Sequence, residues 1–195
     1  MQAAAYLRQK TQGLHQQTEA VALGREIMDQ TLNLDQYRSL ISKNHFLHNN
    51  LEPLLLNGLR YHHLTDFTHF LHPRMEALRA DAHLLELPEI NYGVKLPELR
   101  SSNEVLGGLY VLLGSNLGGR VIYKALKENL QLRELPDFHF YGSSGNHPAK
   151  EWPQFCRMLD SYLLSESDLA GAKLGAEAVF RLVRDVHATP AYSES

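Results

Sequence analysis

The chain has 195 residues, a formal net charge of −3, and 44% hydrophobic against 21% charged side chains, the balance of a globular protein long enough to bury a sizeable core. That charge gives no general drive toward nucleic acid or an anionic membrane, and the single cysteine, Cys156, excludes an internal disulfide and fits a reducing, cytoplasmic setting. No uninterrupted apolar run of about 18 residues is present, and residues 1–6 lack the basic start and apolar middle of a signal peptide, so neither a membrane span nor export is expected.

Apolar side chains recur at helical spacing almost throughout and no segment alternates as a strand would, which predicts an all-α protein. The first helix is expected over residues 2–30. Leu7, Thr11, Leu14, His15, Thr18 and Glu19 fall on or near one of its faces. His15 and Glu19 form an i,i+4 pair, in which a carboxylate can hold one imidazole nitrogen and leave the other for a metal. Arg8, two turns earlier on that face, could meet a carboxylate of the same ligand. One histidine among eleven is by itself more often an ordinary satisfied side chain. Asn33, Leu34 and Asp35 offer caps for a second helix carrying Tyr37, Leu40, Ile41, Phe46, Leu47 and Leu51, interrupted near Pro53. A third helix is expected over residues 64–86 with a kink at Pro73. His45, His48, His62, His63, His69 and His72 crowd this region, and Asp66 with His69 has the spacing of half a di-iron motif. Without a second half or interleaved cysteines they read as surface or satisfied histidines.

Residues 88–97 read as a loop, and residues 101–104 have capping-box spacing for the next helix. That helix carries the most informative stretch, Gly114-Ser115-Asn116-Leu117-Gly118-Gly119, within an apolar run over residues 106–122. Each mid-helix glycine costs about 1 kcal/mol relative to alanine. Gly114 and Gly118 are four residues apart and share a face. Either a flat, bulky ligand lies against bare backbone there or another helix packs closely, and the helix can bend. Residues 136–148 read as irregular, and the last two helices are expected over residues 149–164 and 167–187, the second capped near Ser165 and Asp168. Trp152, Phe155 and Phe180 read as core support, and Cys156 as a small buried residue rather than a nucleophile. The absence of a linker or repeat predicts one domain, residues 1–195, folded as a multi-helix bundle.

Four pieces resemble the heme oxygenase family, most closely its compact bacterial members, over nearly the whole chain. They are Leu7-Arg8-Gln9-Lys10-Thr11 leading into Leu14-His15-Gln16-Gln17-Thr18-Glu19; Tyr110-Val111-Leu112-Leu113-Gly114-Ser115-Asn116-Leu117-Gly118-Gly119; Tyr141-Gly142 followed by Trp152 and Phe155; and Gly175-Ala176-Glu177-Ala178-Val179-Phe180. Their order and separation agree with the family. The resemblance implies heme sandwiched between the first helix and the glycine-bearing helix, as substrate and as oxygen-activating cofactor. His15 would then be the proximal iron ligand, Glu19 its orienting partner, and Gly114 and Gly118 the distal wall along which dioxygen tilts toward a meso carbon. A neutral imidazole suits this because it leaves the opposite axial position free. Ser115 and Asn116 look like the bacterial pattern, in which ordered water carries the proton. Leu113 departs from it, since bacterial relatives often show glutamate there. Arg8 and Tyr110 match positions that hold the propionates; Lys10, Thr11, Gly119, Phe180 and Arg181 complete the implied heme-contacting set, with Lys124 and Arg184 as further cationic candidates.

The implied oxidoreductase reaction opens heme to biliverdin, carbon monoxide and ferrous iron. It consumes dioxygen and electrons from an external reductant such as a ferredoxin, a flavodoxin or a flavin reductase, and a phytochrome is one acceptor the product could serve. Two other readings stay open. A heme-binding or trafficking protein would use the same pocket without turnover, a use the missing carboxylate at Leu113 would favour. A thiaminase-like or di-iron relative on the same fold would need an internal cluster of Glu, His or Cys that the sequence does not display.

Overall fold

A computed structural model describes residues 2–143 and 147–190, the side chains of residues 147–149 excepted. Among the described residues all regular structure is helical, as the periodicity predicts. α1 (Ala3–Val21) and α2 (Gly24–Met28) replace the single first helix expected, because Leu23 between them takes a left-handed conformation at φ 58°. Asn33 starts α3 (Leu34–Tyr61) with a reciprocal cap: its side chain accepts from the Gln36 N–H, and the Gln36 side chain accepts from the Asn33 N–H, both at 2.9 Å. Contrary to expectation, Pro53 does not interrupt α3. The proline removes one backbone donor, but Leu47, Leu51, Leu55 and Leu59 on both sides of it are buried in one continuous face, and packing of that face holds the helix through the defect.

Pro73 behaves differently. The helix expected over residues 64–86 is a short 3-10 helix, Thr65–Phe70, then four non-helical residues, then α4 (Met75–Leu84). α5 (Ser102–Asn116) begins at Ser101, whose side chain accepts from the Glu104 N–H at 3.2 Å, while the Glu104 carboxylate accepts from the Arg100 N–H at 2.7 Å. The long apolar helix divides at Leu117 and Gly118 into α5 and α6 (Gly119–Glu128). Leu117 N–H bonds to the Gly114 carbonyl and Val121 N–H to that of Gly118, so the division is a local tightening to i,i+3 bonding, the kind of irregularity that often marks a functional hinge. α7 (His139–Gly142) is one turn inside the stretch expected to be irregular, of which residues 144–146 lie outside the described residues. α8 (His147–Tyr162) accommodates Pro153, and α9 (Glu166–Ala188) starts at a reciprocal Ser165–Asp168 cap.

Two hydrophobic clusters result. One gathers Leu7 of α1, Leu55 of α3, Leu109 of α5, Phe155 of α8 and Val179 of α9; the other gathers Ile27, Tyr37, Leu78, Leu126 and Phe140 from α2, α3, α4, α6 and α7. α3 runs through both, and the break between α5 and α6 falls where they meet. α5 lies on α9 with backbone against backbone: a Cβ on Gly107 would stand 1.8 Å from the Ala172 carbonyl oxygen, and one on Gly175 1.9 Å from that of Glu104. Residues Ser102–Glu128 are long and apolar enough to cross a membrane by length and composition, but this stretch is divided by the break and packs on α3 and α9. α9 also packs along α1, whereas α1 and α5 scarcely touch. The space between α1 and the end of α5 is thus bordered by α9 and by α8, which touches both.

Candidate functional site

On the α1 side, His15 Nδ1 lies 3.4 Å from Glu19 Oε2, and the two side chains are 55% and 64% exposed. Glu19 on that side of the ring is the arrangement in which a carboxylate orients Nδ1 and leaves Nε2 for a metal. Phe180 of α9 meets the imidazole edge-on, ring centroids 5.7 Å apart. It is therefore a wall beside the histidine and not only the core support its sequence context suggests. Arg184 donates to the Gln17 side chain at 3.4 Å, tying α9 to α1 beside this site. Burial pushes the Tyr110 phenol up, and the nearby Arg8 guanidinium opposes that rise, so the two residues expected to act together do meet electrostatically. Lys10 stands 5.8 Å over the Tyr6 ring. Thr11 is buried, its hydroxyl donating to the Leu7 carbonyl at 2.8 Å. Arg181 is exposed and bonded to Glu177 at 3.0 Å, a carboxylate it shares with Lys173.

On α5, α6 and α9 the glycines separate into two kinds. Gly107 and Gly175 are wedged against backbone, whereas a Cβ on Gly114 would meet only the Trp152 ring, at 3.7 Å, and one on Gly118 only Ile122, at 3.9 Å. Close helix packing explains the first pair and leaves Gly114 and Gly118 without a packing reason. Leu117 and Val121, at i+3 and i+7 from Gly114, share that face and are 41% and 56% exposed. Val121 lies in the apolar run over residues 106–122, and its i+7 spacing from Gly114 puts it on the glycine face. Gly119 is buried, and Ser115 donates to the Leu112 carbonyl at 2.8 Å. Trp152 also packs on Tyr110, ring centroids 5.5 Å apart.

Behind Asn116 lies a polar network that the sequence did not reveal. Arg74 is buried and donates to Asn116 Oδ1 at 2.6 Å, to the Phe140 carbonyl, and to Ser143 Oγ at 3.4 Å. Its guanidinium stacks 4.0 Å from the Phe140 ring centroid, and burial pulls its pKa down to about 10. Since guanidinium only donates, Asn116 must present its oxygen to Arg74 and its amide hydrogens elsewhere. The Arg74 backbone N–H donates to Glu52 Oε1 at 3.0 Å, and that carboxylate lies 2.8 Å from His48 Nδ1. Asp81 holds the start of α7 by accepting from the His139 and Phe140 N–H groups, both at 2.8 Å. Of the remaining histidines singled out by sequence, His48 is buried and paired with Glu52, and His72 lies 2.7 Å from Glu151. Among the described residues, no group of three His, Cys, Asp or Glu side chains is placed to hold a metal ion.

Comparison with known proteins agrees with this architecture. A heme oxygenase from Xanthomonas campestris pv. campestris (strain 8004) is 36% identical over 104 residues, which span 53% of this chain and 61% of that relative, so the chain matches less than two thirds of the relative's length. The structure of heme oxygenase from Leptospira interrogans superposes with a TM-score of 0.73 at 20% identity, covering 96% of this chain and 99% of the other. The NO- and CO-bound heme oxygenase from Neisseria meningitidis superposes with a TM-score of 0.68 at 19% identity, covering 99% and 96%. The heme oxygenase family model matches residues 1–189, and the chain belongs to the heme oxygenase family.

Proposed function

We propose that this chain is a cytoplasmic enzyme, acting as one domain, that binds heme between α1 and the α5–α6 break and opens the macrocycle to biliverdin, carbon monoxide and ferrous iron. The observation that carries the reading is the contrast among the glycines: a Cβ on Gly114 or Gly118 would make only an ordinary side-chain contact, with Trp152 or Ile122, while the glycines that packing requires lie elsewhere on α5 and α9. The surrounding residues fit a heme. His15 offers Nε2 at the cleft with Nδ1 held by Glu19, Phe180 stands edge-on beside it, and Leu117 and Val121 present exposed apolar surface along the glycine face. When bound, heme supplies the iron that activates dioxygen and the ring that is cleaved.

The protein's own part is positional and protic. His15 would ligate the iron, with Glu19 orienting its ring. Gly114 and Gly118 would keep side-chain bulk away from the heme. Arg8 and Tyr110 hold a propionate, with Lys10 and Arg181 contributing charge at the rim. Asn116 has its oxygen fixed by Arg74, which leaves its amide hydrogens as its donors to a water. Electrons come from a ferredoxin, flavodoxin or flavin reductase, and a phytochrome is one acceptor of the product. Titration of the purified chain with hemin, followed by reductant in air, tests this. The expected result is a one-to-one Soret complex that decays into the broad red absorbance of biliverdin. A complex that persists under several reductants would instead identify a heme carrier, and no complex would remove His15 as ligand. His15→Ala should abolish or strongly weaken turnover.

A further inference from the structure

α1 is one unbroken helix, Ala3–Val21, but its two halves are held very differently. The first half is fixed. Ala3, Leu7 and Thr11, four residues apart on one face, are 0%, 0% and 2% exposed. The Ala3 N–H, which has no acceptor within its own helix, donates to Asp160 Oδ1 of α8 at 2.7 Å. The second half, residues 14–21, has no buried side chain. Leu14 packs partly on the core, and His15 meets Phe180 edge-on. Gln17 accepts from Arg184 at 3.4 Å, a long bond between exposed groups.

Gly13 stands at the join. It is exposed, and a Cβ there would meet nothing within 4 Å. Two residues at about 100° each put it on the far side of the helix from His15. Neither close packing nor a ligand on the His15 face accounts for a glycine that weakens its helix roughly fivefold relative to alanine. Backbone freedom does. Beyond the other end of α1, Leu23 takes φ 58°, a left-handed conformation that side chains disfavour. The half that carries His15 therefore lies between two positions at which the chain can change direction.

We infer that Gly13 is a hinge and that residues 14–21 form a flap, which opens to admit heme and closes to bring His15 onto it. This rests on the heme reading above. Arg8 and Lys10 belong to the anchored half, so the cations assigned to the rim keep their place while His15 moves. Opening gives up the partial packing of Leu14 and the His15–Phe180 contact. Closing restores both, and apolar burial against a bound heme holds the flap shut.

Amide hydrogen exchange on the chain without hemin reads the hinge directly. The N–H groups of residues 18–21, whose helical acceptors lie in the flap, should exchange roughly tenfold faster or more than those of residues 7–11. Gly13→Ala, which puts a methyl group into open space, should slow flap exchange by roughly fivefold. Hemin association and dissociation, followed by stopped-flow Soret absorbance, should slow by a similar factor and leave the affinity little changed. Gln9→Gly, a glycine placed in the anchored half instead, should leave the hemin rates unmoved. Even protection along α1 would overturn the hinge. So would a gradient that Gly13→Ala does not alter, because fraying from Val21 alone then explains it. Slowed exchange with unmoved hemin rates would overturn the flap's part in heme entry. Failure of the unmodified chain to bind hemin would remove the heme reading, while the exchange comparison would still decide the hinge.

Discussion

Arg74 is the residue whose removal travels furthest from its own position. It sits between the 3-10 helix and α4, yet its guanidinium bonds to Asn116 of α5 and to the Phe140 carbonyl of α7, while its backbone N–H rests on Glu52 of α3. Arg74→Ala strips buried acceptors of a charged donor, each such bond contributing about 1.5–3 kcal/mol. The expected loss is about 3 kcal/mol in urea unfolding with an unchanged denaturant slope, and hemin should still bind because Arg74 does not reach the cleft. A loss below about 1 kcal/mol would mean that these bonds are not what fixes Asn116. The same residue shows why only half of the site was legible in the sequence. His15 with Glu19, and Gly114 with Gly118, are local pairs whose i,i+4 spacing is visible on the page. Arg74 and Asn116 are separated by 42 residues, and His72 and Glu151 by 79; only the folded chain brings them together. Leu117 and Val121 were hidden for another reason, because an apolar residue on an apolar helix looks the same whether it faces a core or a cleft.

At the level of elements, α5 uses glycine for two opposite purposes, and substitution separates them. Alanine at Gly107 or Gly175 puts a Cβ within 2 Å of a carbonyl oxygen across the α5–α9 contact, so the helices must part along the floor of the cleft. Each variant should lose at least about 2 kcal/mol or fail to fold. Alanine at Gly118 meets nothing nearer than 3.9 Å and the backbone there has φ −76°, so thermal stability should hold or rise by up to about 1 kcal/mol. Gly118→Leu should also fold, and its side chain should lower hemin affinity, read by Soret titration. Loss of folding in Gly118→Ala would return this glycine to a packing role. The helices themselves were largely readable from periodicity and caps, the Asn33 and Ser165 caps standing where expected. The two prolines show what was not. Pro53 is exposed on a helix whose opposite face is buried both before and after it, at Leu51 and Leu55, and Pro73 has no such helix around it, a difference that belongs to tertiary packing, which no local rule contains.

For the molecule as a whole, two buried histidines tie stability to pH, one on the long helix α3 and one at the end of α9. Burial, with the Lys43 ammonium adding to it, pushes the His187 imidazole down to about 4, while Lys43 itself donates to the His187 carbonyl at 2.8 Å and joins α3 to α9. Burial likewise lowers His48, against the opposing pull of Glu52. A histidine with a depressed folded-state pKa binds its proton more readily in the unfolded chain. Its contribution is therefore complete above pH 6.5, the ordinary value, and is lost as pH falls toward about 4. For His187 the full loss amounts to about 3 kcal/mol. Asp81 acts in the opposite sense: burial raises its carboxyl, so the folded state takes up that proton more readily and recovers some stability in acid. Two histidines oppose one carboxyl, so the net expectation in mild acid is a decline. Urea midpoints taken from pH 8 to pH 4.5 should fall steadily below pH 6.5, and His187→Gln, which cannot ionise, should flatten the curve. Equal slopes for the two proteins would place the acid sensitivity elsewhere, with His48 and its Glu52–Arg74 network as the next site to substitute.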